Sequence, residues 1–175
     1  MKITSGKYKG KTLISLSTNT RPTANFVKEA VFNMLFKVNG TVLDLFAGSG
    51  NYGFEALSRG ADKLYLNDVD KLAYKSLLTN KREINPLEEV IITNLDYQEA
   101  LQKYQDKKIT FDFVFLDPPY NFSDERLKNI LEELSLFSDI IVLEREKNSR
   151  LIEIDCKKII KNKNYGIKQI TIYSK

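Results

Sequence analysis

The sequence predicts an α/β fold with a doubly wound, mostly parallel, seven-stranded sheet and an N-terminal β-hairpin extension. Three features indicate this architecture. Short apolar segments alternate with amphipathic segments of helical period through the centre of the chain, which is typical of parallel sheets covered by helices. A glycine-rich turn at 48–53 follows the first central apolar segment, as in folds that bind nucleotides. Two strand-like segments end the chain without a helix between them, and they predict an antiparallel pair.

The N-terminal segment predicts a short hairpin over residues 2–15, with Gly6 and Gly10 at its turns. Thr23 is suited to cap a helix. Apolar residues then recur at helical spacing from Phe26 to Leu35. We interpret this stripe as the core-facing side of the first helix.

The central region predicts five buried strands, and a helix follows each of the first four. The strands are expected at 41–47, 63–69, 89–94, 111–117 and 139–146, and the helices at 52–59, 72–84, 97–104 and 124–134. The closing antiparallel pair is expected at 151–162 and 166–174. Residues 1–20 are therefore assigned to the hairpin extension, and residues 21–175 to one α/β domain.

Composition excludes several classes of protein. The chain has 175 residues, of which 42% are hydrophobic and 29% charged, and this suits one soluble domain with a sizeable core. No apolar run reaches the roughly 18 residues that a membrane-spanning helix needs. Cys156 is the only cysteine and histidine is absent, so we expect neither disulfides, nor Cys or His metal sites, nor a His-activated nucleophile. We expect a monomeric, cytoplasmic protein without a membrane segment or a metal.

Charge is unevenly distributed along the chain. Residues 1–37 carry seven Lys and Arg against one acid, and residues 145–175 carry nine against three. Residues 38–144 carry eleven basic and nineteen acidic residues, a net charge of −8. Basic ends around an acidic centre suggest a polyanionic partner that the ends hold; solvated lysine-rich faces are the alternative.

Polar signatures follow four consecutive predicted strands: AGSGNYG, NDVD, NLDY and DPPY. Gly, Asn and Asp are common in ordinary turns, but ordinary turns do not require a distinctive signature after every strand. Because the carboxyl ends of parallel strands gather at one edge of the sheet, we expect these four segments to form one binding site.

The glycine-rich turn GSGNYG at 48–53 matches the pattern G-x-G-x-x-G, and Asp68 lies twenty residues beyond its first glycine. Glycines let the backbone approach a nucleoside, and an acid at the next strand end accepts hydrogen bonds from ribose hydroxyls. Asp70 is close enough to take that role instead. The pattern fits NAD, but an acidic centre suits a pyrophosphate poorly and favours the sulfonium of S-adenosylmethionine. Asp44, just before the turn, adds a carboxylate near the amino end of such a cofactor.

The segment DPPY comprises Asp117, Pro118, Pro119 and Tyr120. Asp117 offers an acceptor for an amino group, and Pro118 has no N–H and presents backbone carbonyls. Together they would hold an exocyclic amine of a nucleobase so that its nitrogen attacks a methyl group. Tyr120 offers a ring on which the base can stack, worth ~1–3 kcal/mol. This chemistry requires no histidine.

Two levels of resemblance follow from these motifs. DLFAGSG (44–50), Asp68, Asp96 and DPPY (117–120) resemble the motif series of S-adenosylmethionine-dependent amino-methyltransferases, which have a Rossmann-like fold. SGKYKGKTL (5–13), RPTANFVKEAVFNML (21–35), DLFAGSGNYGFEALSRGA (44–61) and FDFVFLDPPY (111–120) resemble the bacterial 16S rRNA guanine-N2 methyltransferases of the RsmD type. The similarity spans nearly the whole chain and weakens after about residue 147.

The resemblance implies roles for individual residues. Cofactor contacts would come from Asp44, Gly48, Gly50, Asp68 and Asp96, with Leu95 or Tyr97 against the adenine ring. Asp117, Pro118 and Tyr120 would hold the target guanine, beside Pro119, and Arg21 and Thr23 would lie near the substrate entrance. Where the family commonly has two small residues after the glycines, this chain has Asn51 and Tyr52. The implied partner is 16S rRNA within a small-subunit assembly particle.

Other residues have less specific interpretations. Lys9 and Lys11 on the hairpin are candidates for rRNA phosphate contacts, or for a charged edge that blocks sheet pairing. Phe46 is a candidate for the cofactor pocket, with core packing as the alternative. Glu144, near the end of the fifth strand, is either structural or borders the site.

Three rival functions remain. A DNA adenine-N6 methylase uses the same DPPY chemistry, but the chain shows no separate target-recognition domain and has the block at 21–35. A non-catalytic RNA-binding assembly factor could keep the fold, although the intact DPPY and loop glycines argue against it. An NAD oxidoreductase remains only if S-adenosylmethionine fails to bind.

Overall fold

The computed structural model describes residues 1–17 and 25–175. Within these ranges the helices are α1 (Asn25–Leu35), α2 (Asn51–Ser58), α3 (Lys71–Ile84), α4 (Tyr97–Asp106) and α5 (Asp124–Ser135). The strands are β1 (Thr41–Asp44), β2 (Lys63–Asn67), β3 (Glu89–Thr93), β4 (Phe111–Leu116), β5 (Ser138–Glu146), β6 (Lys158–Tyr165) and β7 (Lys168–Ser174).

The seven strands form one sheet in the order β3-β2-β1-β4-β5-β7-β6. Strands β1 to β5 are parallel to their neighbours in this series, and β7 lies antiparallel between β5 and β6. The prediction of a doubly wound, mostly parallel, seven-stranded sheet is confirmed. The chain winds outward from β1 to β3 and returns to place β4 on the other side of β1. Ligands bind at such a point of reversal, outside the carboxyl ends of the strands.

Helices cover both faces of the sheet, so the central strands are buried on both sides. Val42, Phe113 and Phe115 belong to the core on one face, together with buried residues of α1, α2 and α3. Leu43 and Val114 belong to the core on the other face, with buried residues of α4 and α5. The alternation along β1 and β4 follows from the two-residue period of a strand.

The N-terminal segment closes on itself around an isolated antiparallel bridge between Lys2 and Thr12, and forms no longer strands. Ile3 N donates to Lys11 O at 2.9 Å. Ile3 and Leu13 are buried in the core beside α1 and α2. The segment is therefore packed onto the main domain and is not a separate appendage.

A buried polar cluster fastens the N-terminal segment to α2. Glu55 is fully buried and accepts hydrogen bonds from the backbone N–H groups of Thr4 (2.8 Å) and Ser5 (3.1 Å). The ammonium of Lys28, also fully buried, lies 2.9 Å from the Glu55 carboxylate, and Arg59 Nε donates to Glu55 at 2.7 Å. Every charge in this cluster has a partner of opposite sign, which compensates for its burial.

Two predicted strands differ most from the structure. Strand β1 ends at Asp44 and not at residue 47, because the chain turns into the glycine loop there. The strand predicted at 151–162 is β6 at Lys158–Tyr165, and residues 151–157 form a turn whose Ile152 and Ile154 are buried in the core. The alternating apolar pattern at 151–154 therefore arises from a loop that packs its isoleucines into the core, and not from a strand.

Within residues 1–17 and 25–175, no helix is both long and apolar enough to cross a membrane. The same residues contain no group of three or more Asp, Glu, Cys or His side chains placed to hold a metal ion.

Candidate active site

The loops after β1 and β4 meet at the carboxyl edge of the sheet. The two strands are hydrogen-bonded neighbours, with Asp44 in register with Phe115, so the glycine loop and DPPY leave adjacent strand ends. A cavity of about 550 Å³ lies there, within the usual range for small-molecule sites. Of the predicted site residues, those that line it are Asp44, Phe46, Gly48, Asp68, Leu95, Asp96, Asp117, Pro118, Pro119 and Tyr120.

The glycine loop takes a backbone conformation that other residues rarely adopt. Gly48 and Gly50 have φ angles of +56° and +84°. Gly50 is the N-cap of α2, and a Cβ there would lie 2.5 Å from the ring of Phe54. Gly50 is buried and is not among the cavity-lining residues, so its structural effect is to fix the turn that brings Gly48 to the cavity wall.

Asp44 is almost fully buried at the floor of the cavity. Its Oδ2 accepts a hydrogen bond from Gly53 N at 2.9 Å. Burial, followed by the negative charges of Asp117, Asp68 and Glu144, raises the pKa of Asp44 to about 8. A cation brought into the cavity would favour the ionised form of this carboxyl.

Asp68 and Asp70 both line the cavity but are held differently. The two oxygens of Asp68 accept hydrogen bonds from Gly48 N (2.7 Å) and Asp70 N (2.9 Å), so its carboxylate is tied to the glycine loop. Asp70 caps α3 by accepting from Leu72 N, and its other oxygen accepts from the Ser17 hydroxyl at 2.6 Å. Burial raises the pKa of Asp68, whereas the hydrogen bond from Ser17 is the largest cause that lowers the pKa of Asp70.

The loop after β3 brings Leu95 and Asp96 to the cavity. The side chain of Asn67 donates to Leu95 O at 3.0 Å and accepts from Leu95 N at 3.3 Å, which fixes this backbone. Asp96 caps α4 in a capping box with Glu99. Its position at the helix end is therefore set by local sequence.

An aromatic group stands beside Asp96. Phe46 lies 5.9 Å from Tyr97 and 5.6 Å from Phe122 between ring centroids. The guanidinium of Arg126 lies 3.8 Å from the centroid of Phe122, and its Nε donates to the Tyr97 hydroxyl at 3.0 Å. These side chains all line the cavity and supply it with flat apolar surface.

The DPPY segment turns from the core to the surface. Pro118 is buried, whereas Pro119 and Tyr120 are exposed. Phe122 N donates to Pro119 O at 3.1 Å, which closes the turn. The Tyr120 ring is 44% exposed and borders the cavity.

Sequence reasoning missed several cavity-lining residues that carry functional groups, among them Lys168, Arg126 and Tyr52. Lys168, the first residue of β7, lies with its ammonium between Glu144 and Asp117. Arg126 comes from the first turn of α5. Tyr52, noted in the sequence only as a departure from the family pattern, is buried and donates to Glu144 at 2.6 Å. The sequence signal for Lys168 is limited to its place at the start of a strand.

Some predicted substrate contacts lie away from the cavity or outside the described residues. Lys9 and Lys11 are exposed on the N-terminal segment, and Lys11 Nζ donates to Glu83 O at 3.1 Å. Neither lines the cavity. Arg21 and Thr23 fall in the stretch that the structure does not describe.

Comparison with known proteins gives a consistent result. A family model described as "Conserved hypothetical protein 95" matches residues 1–174. The ribosomal RNA small subunit methyltransferase D of Haemophilus influenzae is 34% identical over 180 residues, which cover 99% of this chain and 93% of that protein. The protein of the same name from Escherichia coli K12 is 31% identical over 157 residues, covering 86% and 77%. A solved structure, a conserved hypothetical protein of Streptococcus pyogenes, has a TM-score of 0.75 at 32% identity over 84% of this chain and 94% of that one.

Proposed function

This chain belongs to the family described as Conserved hypothetical protein 95, and from that premise we propose that it is an rRNA methyltransferase that uses S-adenosylmethionine. The proposed target is the exocyclic N2 amine of a guanine in small-subunit (16S) rRNA. The relatives named ribosomal RNA small subunit methyltransferase D support this substrate class. The observation that carries the chemistry is the cavity shared by the glycine loop and DPPY.

The cavity fits a nucleoside cofactor without phosphates. Its described lining includes five aspartates, Asp44, Asp68, Asp70, Asp96 and Asp117, but only two basic side chains, those of Arg126 and Lys168. Lys168 is already paired with carboxylates. Such a wall accepts hydrogen bonds from hydroxyls and amines and attracts a cation, whereas it would repel a pyrophosphate. This donor and acceptor set favours S-adenosylmethionine over NAD.

The cofactor, when bound, would supply a methyl group on a positively charged sulfur. Gly48 would let its methionine part approach the backbone, and Asp44 would face its amino end. Asp68 would accept from the ribose hydroxyls, because its carboxylate is tied to Gly48. Asp96 would accept from the adenine amine, with Leu95 and Phe46 providing apolar contact.

The target base would enter on the DPPY side of the cavity. Asp117 and the carbonyl of Pro118 would accept the two hydrogens of the exocyclic amine and so hold its nitrogen still. Tyr120 would stack on the base, which must first leave its helical stack. On taking the methyl group that the cofactor would supply, this amine would become acidic, and Asp117 would accept its proton. The products are the methylated base and S-adenosylhomocysteine.

The test uses cells that lack this chain. Small-subunit particles and deproteinised 16S rRNA from these cells are incubated with the protein and radiolabelled S-adenosylmethionine, and the rRNA nucleosides are then identified by mass spectrometry. We expect N2-methylguanosine, formed more efficiently on particles than on free rRNA. The Asp117→Ala variant is the matched control and should bind the cofactor but transfer no label.

Each rival function predicts a different outcome when the labelling is repeated with DNA and when cofactor binding is measured by calorimetry. Label in N6-methyladenine of DNA, with none in rRNA, would identify a DNA methylase. Absence of calorimetric binding of S-adenosylmethionine would contradict the proposal. In that case binding of NADH would support an oxidoreductase, and binding of particles alone a non-catalytic assembly factor.

A further inference from the structure

Lys168 reaches the DPPY segment from a distant part of the chain. It is the first residue of β7 and pairs across the sheet with Glu146 of β5. Its ammonium lies 2.5 Å from Glu144 Oε1 and 3.7 Å from Asp117 Oδ1. The same ammonium lies 5.0 Å from the ring centroid of Tyr120. The Lys168 ammonium thus lies beside both Asp117 and Tyr120, two residues that would hold the target base in the proposed function.

Glu144 anchors this cation from below. Its side chain is only 1% exposed, and its second oxygen accepts a hydrogen bond from the Tyr52 hydroxyl at 2.6 Å. The ring of Tyr52 stacks on Phe115 of β4, with centroids 5.2 Å apart and planes 8° from parallel. Since Tyr52 lies within the glycine-rich turn at 48–53, as the second residue of α2, these contacts link that turn to β5, β7 and the DPPY segment.

The charges around Asp117 make the cation important. Among the described residues, Asp44 of β1 and Glu144 of β5 are acidic groups that act on the same region. Burial, followed by the charge of Glu144, raises the pKa of the Tyr52 hydroxyl of α2. In the part of the chain that the structure describes, Lys168 is a basic group that pairs with Glu144 and Asp117. Burial acts to lower the pKa of Lys168, but the charges of Asp117 and Glu144 outweigh it and raise that pKa above the ordinary lysine value. Lys168 therefore stays charged at physiological pH.

We propose that Lys168 is a positioning residue for methyl transfer, which orients the Asp117 carboxylate for the target amine while Glu144 and Tyr52 hold Lys168 in place. This inference rests on the proposed function. An amine donates more strongly to a carboxylate than to a neutral carboxylic acid, and a displacement of about 1 Å at the reacting nitrogen lowers the rate by about 10²-fold. Lys168 acts through Asp117 and Tyr120 and does not itself contact the reacting atoms.

The primary test compares Lys168→Met with Lys168→Arg in methylation of rRNA at saturating S-adenosylmethionine. We expect kcat to fall about 10- to 100-fold in Lys168→Met, with the dissociation constant of S-adenosylmethionine within about 3-fold of the wild type, as uniform cofactor binding is unaffected. Lys168→Arg retains the charge and should recover most of the rate. Lys161→Met, a change at a partly buried lysine on β6 whose ammonium donates to Met34 O, is the matched control and should leave kcat unchanged.

A second variant separates positioning from folding. Lys168→Met alone removes the Lys168 ammonium from the buried Glu144, which is destabilising. The double variant Lys168→Met/Glu144→Gln removes both charges and should recover the melting temperature but not kcat. Recovery of both, or equal loss of rate in Lys168→Met and Lys168→Arg, would reduce Lys168 to a structural residue and overturn the proposal.

A third measurement is independent of the substrate. The ¹³C carboxyl signal of Asp117 is followed against pH in the wild type and in Lys168→Met. We expect the Asp117 pKa to rise when the neighbouring cation is lost, and the acidic limb of the rate profile to move to higher pH with it. If the wild type methylates no rRNA yet the Asp117 pKa moves, the proposed function fails while the coupling stands. An unmoved pKa would refute the coupling itself.

Discussion

Asp44 and Asp117 face one cavity from the carboxyl ends of two neighbouring parallel strands. Asp44 is buried and Asp117 is partly exposed. Burial first, and then the charge of Asp117, raises the pKa of Asp44 to about 8. The fold thus keeps a proton near the proposed site of an incoming cation, and the proton has a measurable effect on stability.

The first prediction concerns the pH dependence of stability. Unfolded Asp44 has a pKa near 3.9, so the folded state retains a proton that the unfolded state releases. The stabilisation from this proton is fully present below about pH 4 and is lost as pH rises through about 8. Asp44→Asn abolishes the titration. Its free energy of unfolding relative to the wild type should therefore increase by up to about 4 kcal/mol between pH 5 and pH 8.

Urea denaturation at pH 5, 6.5 and 8 measures this difference. Asp155→Asn, a change at an exposed aspartate, serves as the control and should give a difference that does not depend on pH. A constant difference for Asp44→Asn would show that Asp44 is ionised at neutral pH in the folded protein.

The second prediction compares two glycines with nearly the same backbone angle. Gly50 and Gly10 have φ angles of +84° and +88°. A Cβ at Gly50 would lie 2.5 Å from the Phe54 ring, whereas a Cβ at Gly10 would have nothing within 4 Å. Gly10→Ala should therefore lower the free energy of unfolding only by the ~1–2 kcal/mol that a left-handed backbone costs a residue with a Cβ. Gly50→Ala should lose about 1–3 kcal/mol more from overpacking.

Chemical denaturation gives both values, and calorimetry with S-adenosylmethionine adds a functional readout. Binding should weaken in Gly50→Ala, because the turn that presents Gly48 shifts, and should persist in Gly10→Ala. Equal stability losses in the two variants would mean that the Phe54 ring moves aside freely.

Much of the site could be predicted because it depends on local sequence and on one topological rule. The glycine loop and DPPY each follow a buried strand, and the carboxyl ends of parallel strands share an edge. The doubly wound pattern then makes β1 and β4 neighbours, as observed. The position of Asp96 could also be predicted, because Asp96 caps α4 through contacts within the local sequence.

Lys168 could not be predicted, because its position depends on pairing across the sheet. The antiparallel register of β5 and β7 places Lys168 opposite Glu146, and only this register brings its ammonium to Asp117. Nothing in the local sequence encodes the register. The misplaced start of β6 has a related cause, since the apolar residues at 151–154 pack into the core as a loop.

The third prediction decides between the two candidate ribose ligands. Asp68 accepts a hydrogen bond from Gly48 N, whereas Asp70 accepts one from Leu72 N at the N-terminus of α3. We expect Asp68→Asn to weaken S-adenosylmethionine binding by about 10- to 100-fold, as for loss of a charged hydrogen bond worth ~1.5–3 kcal/mol. Asp70→Asn keeps a good helix cap and should change the affinity by less than about 3-fold. Calorimetry measures both, and the reverse order would assign the ribose to Asp70.

The fourth prediction concerns the exposed lysines of the N-terminal segment. If Lys9 and Lys11 contact rRNA phosphates, the double change to Ala should weaken binding of small-subunit RNA and reduce the salt slope of log K by about 1–2. Binding of S-adenosylmethionine should not change, because neither residue lines the cavity. Filter binding at several salt concentrations measures the slope.

Lys175→Ala is the control for that experiment. Its ammonium pairs with Asp139 near the start of β5, at the edge of the sheet opposite the cavity. An equal loss of salt slope in this variant would indicate non-specific charge attraction in place of a defined RNA contact.

The fifth prediction concerns the ion pair beneath the N-terminal segment. Lys28 and Glu55 are both fully buried and lie 2.9 Å apart. Lys28→Met should lower the free energy of unfolding by about 3–5 kcal/mol, because Glu55 loses a buried counter-charge. By contrast, Lys63→Met breaks a solvent-exposed pair with Glu89 and should change stability little, because water screens such pairs.

A double-mutant cycle with Glu55→Gln isolates the interaction. The combined Lys28→Met/Glu55→Gln variant should be less destabilised than the sum of the two single variants, because the second change removes the charge that the first left unpaired. Thr4 and Ser5 donate their backbone N–H groups to Glu55, and the amide oxygen of the substituted side chain can still accept one of these hydrogen bonds. Strict additivity would mean that Arg59 alone compensates the Glu55 charge, and that Lys28 contributes only packing.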